Sequence, residues 1–134
     1  MGRRIAERND LITSAATSVH AGIRITDYNI VALSIRGSEN CNMKIFVKGF
    51  IGDTRPDFTV ASGVRQATSN HWDYVDVIDL EDNASIDGDT GIDLSGNNVR
   101  NIEVNTNVLD WLSVHSTNVI AGTVTVVGLS TTNQ

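Results

Sequence analysis

The feature that most constrains this chain is a rhythm. Seven or eight short runs of alternating apolar and polar residues recur at 8–15-residue spacing, with turn residues between them. A side-chain period of two suits a pleated strand with one buried face. No βαβ rhythm and no internal repeat is present. The clearest run is Thr123-Val124-Thr125-Val126-Val127-Gly128-Leu129, which follows the turn residue Gly122. The expected fold class is therefore all-β, an antiparallel β-sandwich of jelly-roll or immunoglobulin-like type. At 134 residues one domain is expected, large enough to bury a core.

The organising strand is read as Trp72-Asp73-Tyr74-Val75-Asp76-Val77-Ile78-Asp79-Leu80. Aromatic and β-branched residues alternate there with short acids, as a half-buried strand requires. Residues 29–35 and 43–51 read as two further strands and together as a hairpin across the turn cluster Gly37-Ser38-Glu39-Asn40. Residues 99–104 alternate again. Trp111-Leu112-Ser113-Val114 reads as a strand, with a single helical turn from Asn107 as the alternative. Two tight reversals are expected over 86–92, where Asp-Gly and Thr-Gly dipeptides crowd together. Residues 10–22 fit helix or strand equally. The polar connection 52–70 is long for a compact domain, and such loops are often functional.

Charge is unevenly placed. The net charge is -6, yet Arg3, Arg4 and Arg8 face only Glu7 at the start, and no basic residue lies between Arg65 and Arg100. Residues 1–9 lack an apolar period and read as an extended N-terminal arm, disordered until it docks on a neighbour. The expected division is an arm and lead-in over 1–22 and a sandwich over 23–134. The acidic interval is either a solvated face or a contact for surfaces of opposite sign. In 43–51, Phe46 and Phe50 share a face with Lys44 and Lys48, and a two-layer core offers them no evident place. Arg3, Arg4, Arg8, Phe46 and Phe50 are thus the expected interface residues, and a homo-oligomer is expected.

Nothing in the sequence spells out a reaction. His20, His71 and His115 fall in no metal spacing, and the many serines lack a nucleophile elbow. His71, beside Trp72, is read as a structural imidazole. Asp87-Gly88-Asp89 with Asp93 superficially resembles a calcium loop but lacks the late glutamate. Its aspartates are instead expected to bond their own backbone in turns. Cys41, the single cysteine, cannot form an internal disulfide and reads as a small core or loop residue. No catalytic residue, metal or cofactor is expected. The acidic balance argues against general nucleic-acid binding. No apolar run approaches the roughly 18 residues of a membrane span, so a soluble, unprocessed chain is expected.

Pro56-Asp57-Phe58, Asn70-His71-Trp72-Asp73-Tyr74-Val75, Asp87-Gly88-Asp89-Thr90-Gly91-Ile92, Glu103-Val104-Asn105 and Gly122-Thr123-Val124-Thr125-Val126 occur in that order. In this succession the chain resembles small β-sandwich structural proteins of tailed bacteriophages over roughly residues 25 to 130. The resemblance implies a capsid decoration, or cement, protein. Such a protein is typically a trimer where capsomers meet, with itself and the major capsid protein as partners. It would lie on the virion capsid surface after assembly in the host cytoplasm. A tail, baseplate or neck component would use the same sandwich. A carbohydrate-binding module, with Trp72 and Trp111 as sugar platforms, is a third class, although both tryptophans sit in apolar patterns that suit a core.

Overall fold

The computed structural model describes residues 4–26, 28, 30–59, 72–95, 98–106, 109–117 and 122–133, with the backbone alone for 4–6 and 131–133. Eleven strands and no helix occur among them: β1 Arg4–Ala15, β2 Val19–Arg24, β3 Ile30–Gly37, β4 Lys44–Phe50, β5 Trp72–Tyr74, β6 Val77–Asp79, β7 Ala84–Ile86, β8 Ile92–Asp93, β9 Val99–Asn105, β10 Trp111–Ser116 and β11 Val124–Asn133. They form two antiparallel sheets, a six-stranded one in the order β1-β11-β3-β9-β6-β7 and a five-stranded one in the order β2-β10-β4-β5, with β8 also on β4. The molecule is a β-sandwich, as the alternation implies.

The inner faces follow from the period of two. Val31, Leu33 and Ile35 of β3, Ile102 and Val104 of β9 and Val124 and Val126 of β11 meet Ile45 and Val47 of β4 and Leu112 and Val114 of β10. Ile25, Met43, Ile92 and Leu94 complete this core. Burial of such side chains, each stabilising by roughly 1.5–3 kcal/mol, is what closes the two layers. Cys41 is free and buried with them, the small core residue expected.

Four expectations need correction. First, Arg4–Ala15 is the longest strand and pairs with β11 from Arg4↔Asn133 to Ala15↔Val124, so from residue 4 onward the supposed arm belongs to the sheet. Register shifts after Asp10 and Ile12, with φ of 47° at Ser14, bulge the strand and turn both Leu11 and Ile12 toward the core. Before it, Glu7, Arg8 and Asp10 of this edge strand are exposed, so the first nine residues show no apolar period. Of the ambiguous 10–22, residues through Ala15 belong to β1 and those from Val19 to β2. Second, the 72–80 stretch is two strands in different sheets, not one: β5 pairs with β4, whereas β6 pairs with β7 and β9. The chain crosses between layers at Val75-Asp76. The Asp76 Oδ1 accepts the Gly88 amide at 2.7 Å, and Gly88 lies so close that a Cβ there would be 2.8 Å from the Val75 carbonyl carbon. Third, β3 and β4 do not form a hairpin, since β3 lies between β11 and β9 and β4 lies in the other sheet. Fourth, the number of strands exceeds eight because β5 to β8 hold only two or three residues each, too few for alternation to register.

Candidate functional site on the outer sheet faces

With the inner faces spent on the core, chemistry must come from the outer ones. On the five-stranded sheet, register sets three rows side by side. Arg24, Trp111, Phe50 and Trp72 form the first, Gly22, Ser113, Lys48 and Tyr74 the second, and His20, His115 and Phe46 the third. This face is covered by the segment after β4. The Phe58 ring packs on Gly22, where any Cβ would lie 2.3 Å from its Cζ. It meets Phe50 edge-on, with centroids 5.5 Å apart, and tilts against Trp111 at 6.2 Å. Together with Trp72 these rings form a second apolar cluster outside the main core.

Ionisable groups are embedded in this aromatic layer. Lys48 is only 1% exposed. Its Nζ lies 4.9 Å above the Trp72 ring and donates to the Phe58 carbonyl oxygen at 3.2 Å. Burial holds its pKa below the usual lysine value, with the Asp57 carboxylate opposing. His20 and His115 stack in parallel, centroids 4.0 Å apart and planes 9° from coplanar. Burial pushes both imidazoles down, His115 to about 4, and the nearby Lys48 charge pushes the same way. Asp57 is held below the carboxylate range by its bonds from the Thr59 hydroxyl and amide. The His20 Nδ1, Trp72 Nε1 and Ser113 Oγ are buried without a hydrogen-bond partner.

The six-stranded sheet presents a different outer face. Register lines up Arg8, Leu129, Ala32, Glu103, Ile78 and Ser85 directly across it. Leu129 is 37% exposed and Ile78 39%. Beside Ile78 lies a groove of about 410 Å³ lined by Ile30, Asp76, Ser85, Glu103 and Asn105 among others. Along this row the exposed apolar side chains are Leu129 on β11 and Ile78 on β6, with Arg8 on the edge strand β1 and Glu103 on β9 between them.

The residues expected at an interface are dispersed by this fold. Arg3 lies outside the described residues, and Arg4 opens β1. Arg8 is exposed on the outer face just described and pairs loosely with Asp10 at 3.7 Å. Phe50 is 1% exposed inside the chain's own aromatic cluster, which removes the ground for reading it as an interface residue. Phe46 is half-buried against Tyr74, His115 and Gly91. The error was to count two layers: Phe58 supplies a third, and nothing in the polar 52–59 pattern announces it. Trp72 and Trp111 are buried rather than offered to solvent, and the Trp111 indole N–H donates to the Gly52 carbonyl at 2.9 Å. His71 lies outside the described residues.

The acidic interval is turn chemistry. The Asp79, Asp82, Asp87 and Asp93 carboxylates each accept the amide two residues on, and no group of three potential metal ligands occurs among the described residues. Sequence reasoning missed the His20–His115 pair, whose only signal is the opposite placement of two histidines in strands that pair.

No protein-family model matches the chain, and no curated protein matches its sequence. Two solved structures share its fold. One is the SPBc2 prophage-derived protein YomS, at a TM-score of 0.73 and 11% identity over 97% of this chain and 96% of that one. The other is the PBSX exported protein XepA, at a TM-score of 0.72 and 8% identity over 96% of this chain. The chain spans 38% of XepA.

Proposed function

We propose that this chain is a bacteriophage structural protein, non-enzymatic, and most specifically a capsid decoration protein that works by surface complementarity. The observation that carries the reading is the likeness to a prophage-derived protein along the whole of both chains. Its working surface is the outer face of the six-stranded sheet, because apolar side chains left open on a rigid sheet favour a partner over water. Arg8 stands on the edge strand β1 of that face and Asp76 just before β6, the strand next to the opposite edge. Complementary patches toward opposite edges suit a head-to-tail contact that closes into a ring, which accords with a trimer. Capsid subunits are then the remaining partner. Co-sedimentation with purified particles lacking the chain tests this. The wild-type protein should pellet saturably with them, and Ile78→Asp with Leu129→Asp should abolish pelleting without changing the melting temperature. Equal pelleting by the double variant would refute the assigned face. Light scattering tests the ring, since a monodisperse monomer at micromolar concentration would exclude it.

The second structural neighbour supports an alternative. XepA is an exported protein, and a sandwich of this type could serve a phage-encoded protein released from the cell instead of a particle component. Finding the chain in the medium and absent from particles would favour that reading.

A further inference from the structure

We propose that the cleft between the free edges of β1 and β2 binds an acidic sugar, a hydroxylated ring that carries a carboxylate. The two strands are edge strands of opposite sheets, and a cavity of about 490 Å³ opens between them. Small-molecule sites typically enclose roughly 300–1,000 Å³. Along the first half of β1 the inner face carries polar residues instead of core ones. Glu7 pairs with the buried Ser130 and Asn9 with Gly128, and a Cβ on Gly128 would lie 3.2 Å from Leu11 and 3.5 Å from Leu33 of the core. Glu7 and Asn9 therefore stand on the inward side, where a period of two would otherwise continue the apolar layer. Both line the cavity, so the core stops short on this flank and leaves a polar wall.

The charges around the cleft select the ligand. From Asn9 the cavity runs around the edge of β2 to Arg24 on the outer face of its sheet, and to Arg55 in the segment covering that face. The Arg55 guanidinium carbon lies 4.9 Å from the Phe58 ring centre and 5.9 Å from that of Trp111, so two rings hold it at the cleft. Arg24 Nε donates to the Thr26 hydroxyl at 3.2 Å, which orients its fork. Neither guanidinium has an ion pair to a carboxylate among the described residues. The nearby carboxylates are engaged elsewhere: Glu7 accepts the Tyr28 hydroxyl, and Asp110 accepts the Thr26 hydroxyl and the Gly52 amide. Two oriented guanidiniums without a counter-ion suit a carboxylate, which each can meet with a planar fork. An anion alone would leave the rest of the wall unused. The Asn9 amide can donate and accept and the Glu7 carboxylate can accept, the set that ring hydroxyls require. That carboxylate also counts against a densely charged anion. Ile23 is the single aliphatic side chain lining the cavity among the described residues, so an acyl chain does not suit it.

Heteronuclear NMR of the full chain tests the site, with sodium glucuronate, glucose and inorganic phosphate as probes. Glucuronate should shift the amides of 22–26 and of Arg55 saturably. Glucose should bind at least about tenfold more weakly for want of the carboxylate, and phosphate at equal concentration should not displace glucuronate. Arg24→Ala and Arg55→Ala should each weaken glucuronate binding by about tenfold, and Arg55→Lys nearly as much, since an ammonium lacks the planar fork. Both arginines are exposed, so the variants should keep the spectral dispersion of the folded chain. No saturable shift with glucuronate, or full affinity in either alanine variant, would overturn the proposal. Equal binding of glucose would remove the arginines from the site, and equal binding of phosphate would reduce it to an anion patch; each overturns it too. An acidic peptide that displaces glucuronate at lower concentration would reassign the cleft to a protein partner.

Discussion

Replacing Asp79 by alanine should remove about 3 kcal/mol of folding stability, close to the lower end measured for breaking a buried ion pair. The Asp79 side chain is 5% exposed and receives Arg100 Nη1 at 2.6 Å and the Glu81 amide at 3.0 Å. With the carboxylate gone, Arg100 retains only its bond to the Asp93 carbonyl at 3.2 Å and faces the core end with an uncompensated charge. Its own 22% exposure lets water relieve part of that, which selects the lower figure. With an unfolding entropy of ~2.1 cal/mol/K per residue, a loss of about 3 kcal/mol lowers the melting temperature by about 10 °C. Guanidinium unfolding and scanning calorimetry would measure both. Asp79→Leu combined with Arg100→Met should recover most of the loss, since an apolar pair of similar volume leaves no charge behind. A loss below about 1 kcal/mol for Asp79→Ala would show that the pair is solvated and that the β6–β9 seam does not depend on it. The pH dependence follows from the same geometry. The Glu81 amide first, and then Arg100, hold the Asp79 carboxyl below its ordinary value of 3.8. Its contribution is therefore fully present above that value and fades as pH falls through the lowered one, so wild type and Asp79→Asn should converge in strong acid.

Three further substitutions probe the fold. Gly88→Ala should destabilise by about 2 kcal/mol in urea unfolding, because the new methyl meets the Val75 backbone, which cannot yield as a side chain could. Phe50→Ala should cost about 3–5 kcal/mol by the same assay, the range for emptying a packed aromatic site; a loss under 1 kcal/mol would return Phe50 to the surface. Gly22→Val should expel the Phe58 ring, red-shift the tryptophan emission and speed proteolysis within 53–59, while far-UV circular dichroism stays unchanged.

The sandwich was legible because its inner faces obey a period of two over six to eight residues in β3, β9 and β10, long enough for alternation to show. Connectivity was less so. The 72–80 run reads as one strand with Asp76 the exception on its aromatic face, although the chain changes sheets at that point: Trp72 and Tyr74 face the aromatic layer while Val77 and Asp79 face the core, and period alone cannot reveal a change of layer. Asp79 itself looked like a solvent-side acid, and only its partner Arg100, 21 residues away, explains its burial. The edge strand β1 hid because Glu7-Arg8-Asn9-Asp10 offers no apolar face and the register shifts only beyond Asp10. The candidate sites were least visible. The stacked histidines need the register of β2 against β10, and the open face of the six-stranded sheet needs five strand pairings. Both are set by contacts distant in sequence. The aspartate turns, by contrast, are local: Asp87 and Asp93 bond their own backbone, as the Asp-Gly and Thr-Gly dipeptides between them imply.

The central claim is that the chain is a fixed component of a phage particle, and quantitative mass spectrometry of gradient-purified particles addresses it most directly. The account predicts that the chain stays with intact heads through the gradient at a constant ratio to the major capsid protein. Its absence from purified particles, with the protein recovered instead from the surrounding medium, would contradict it.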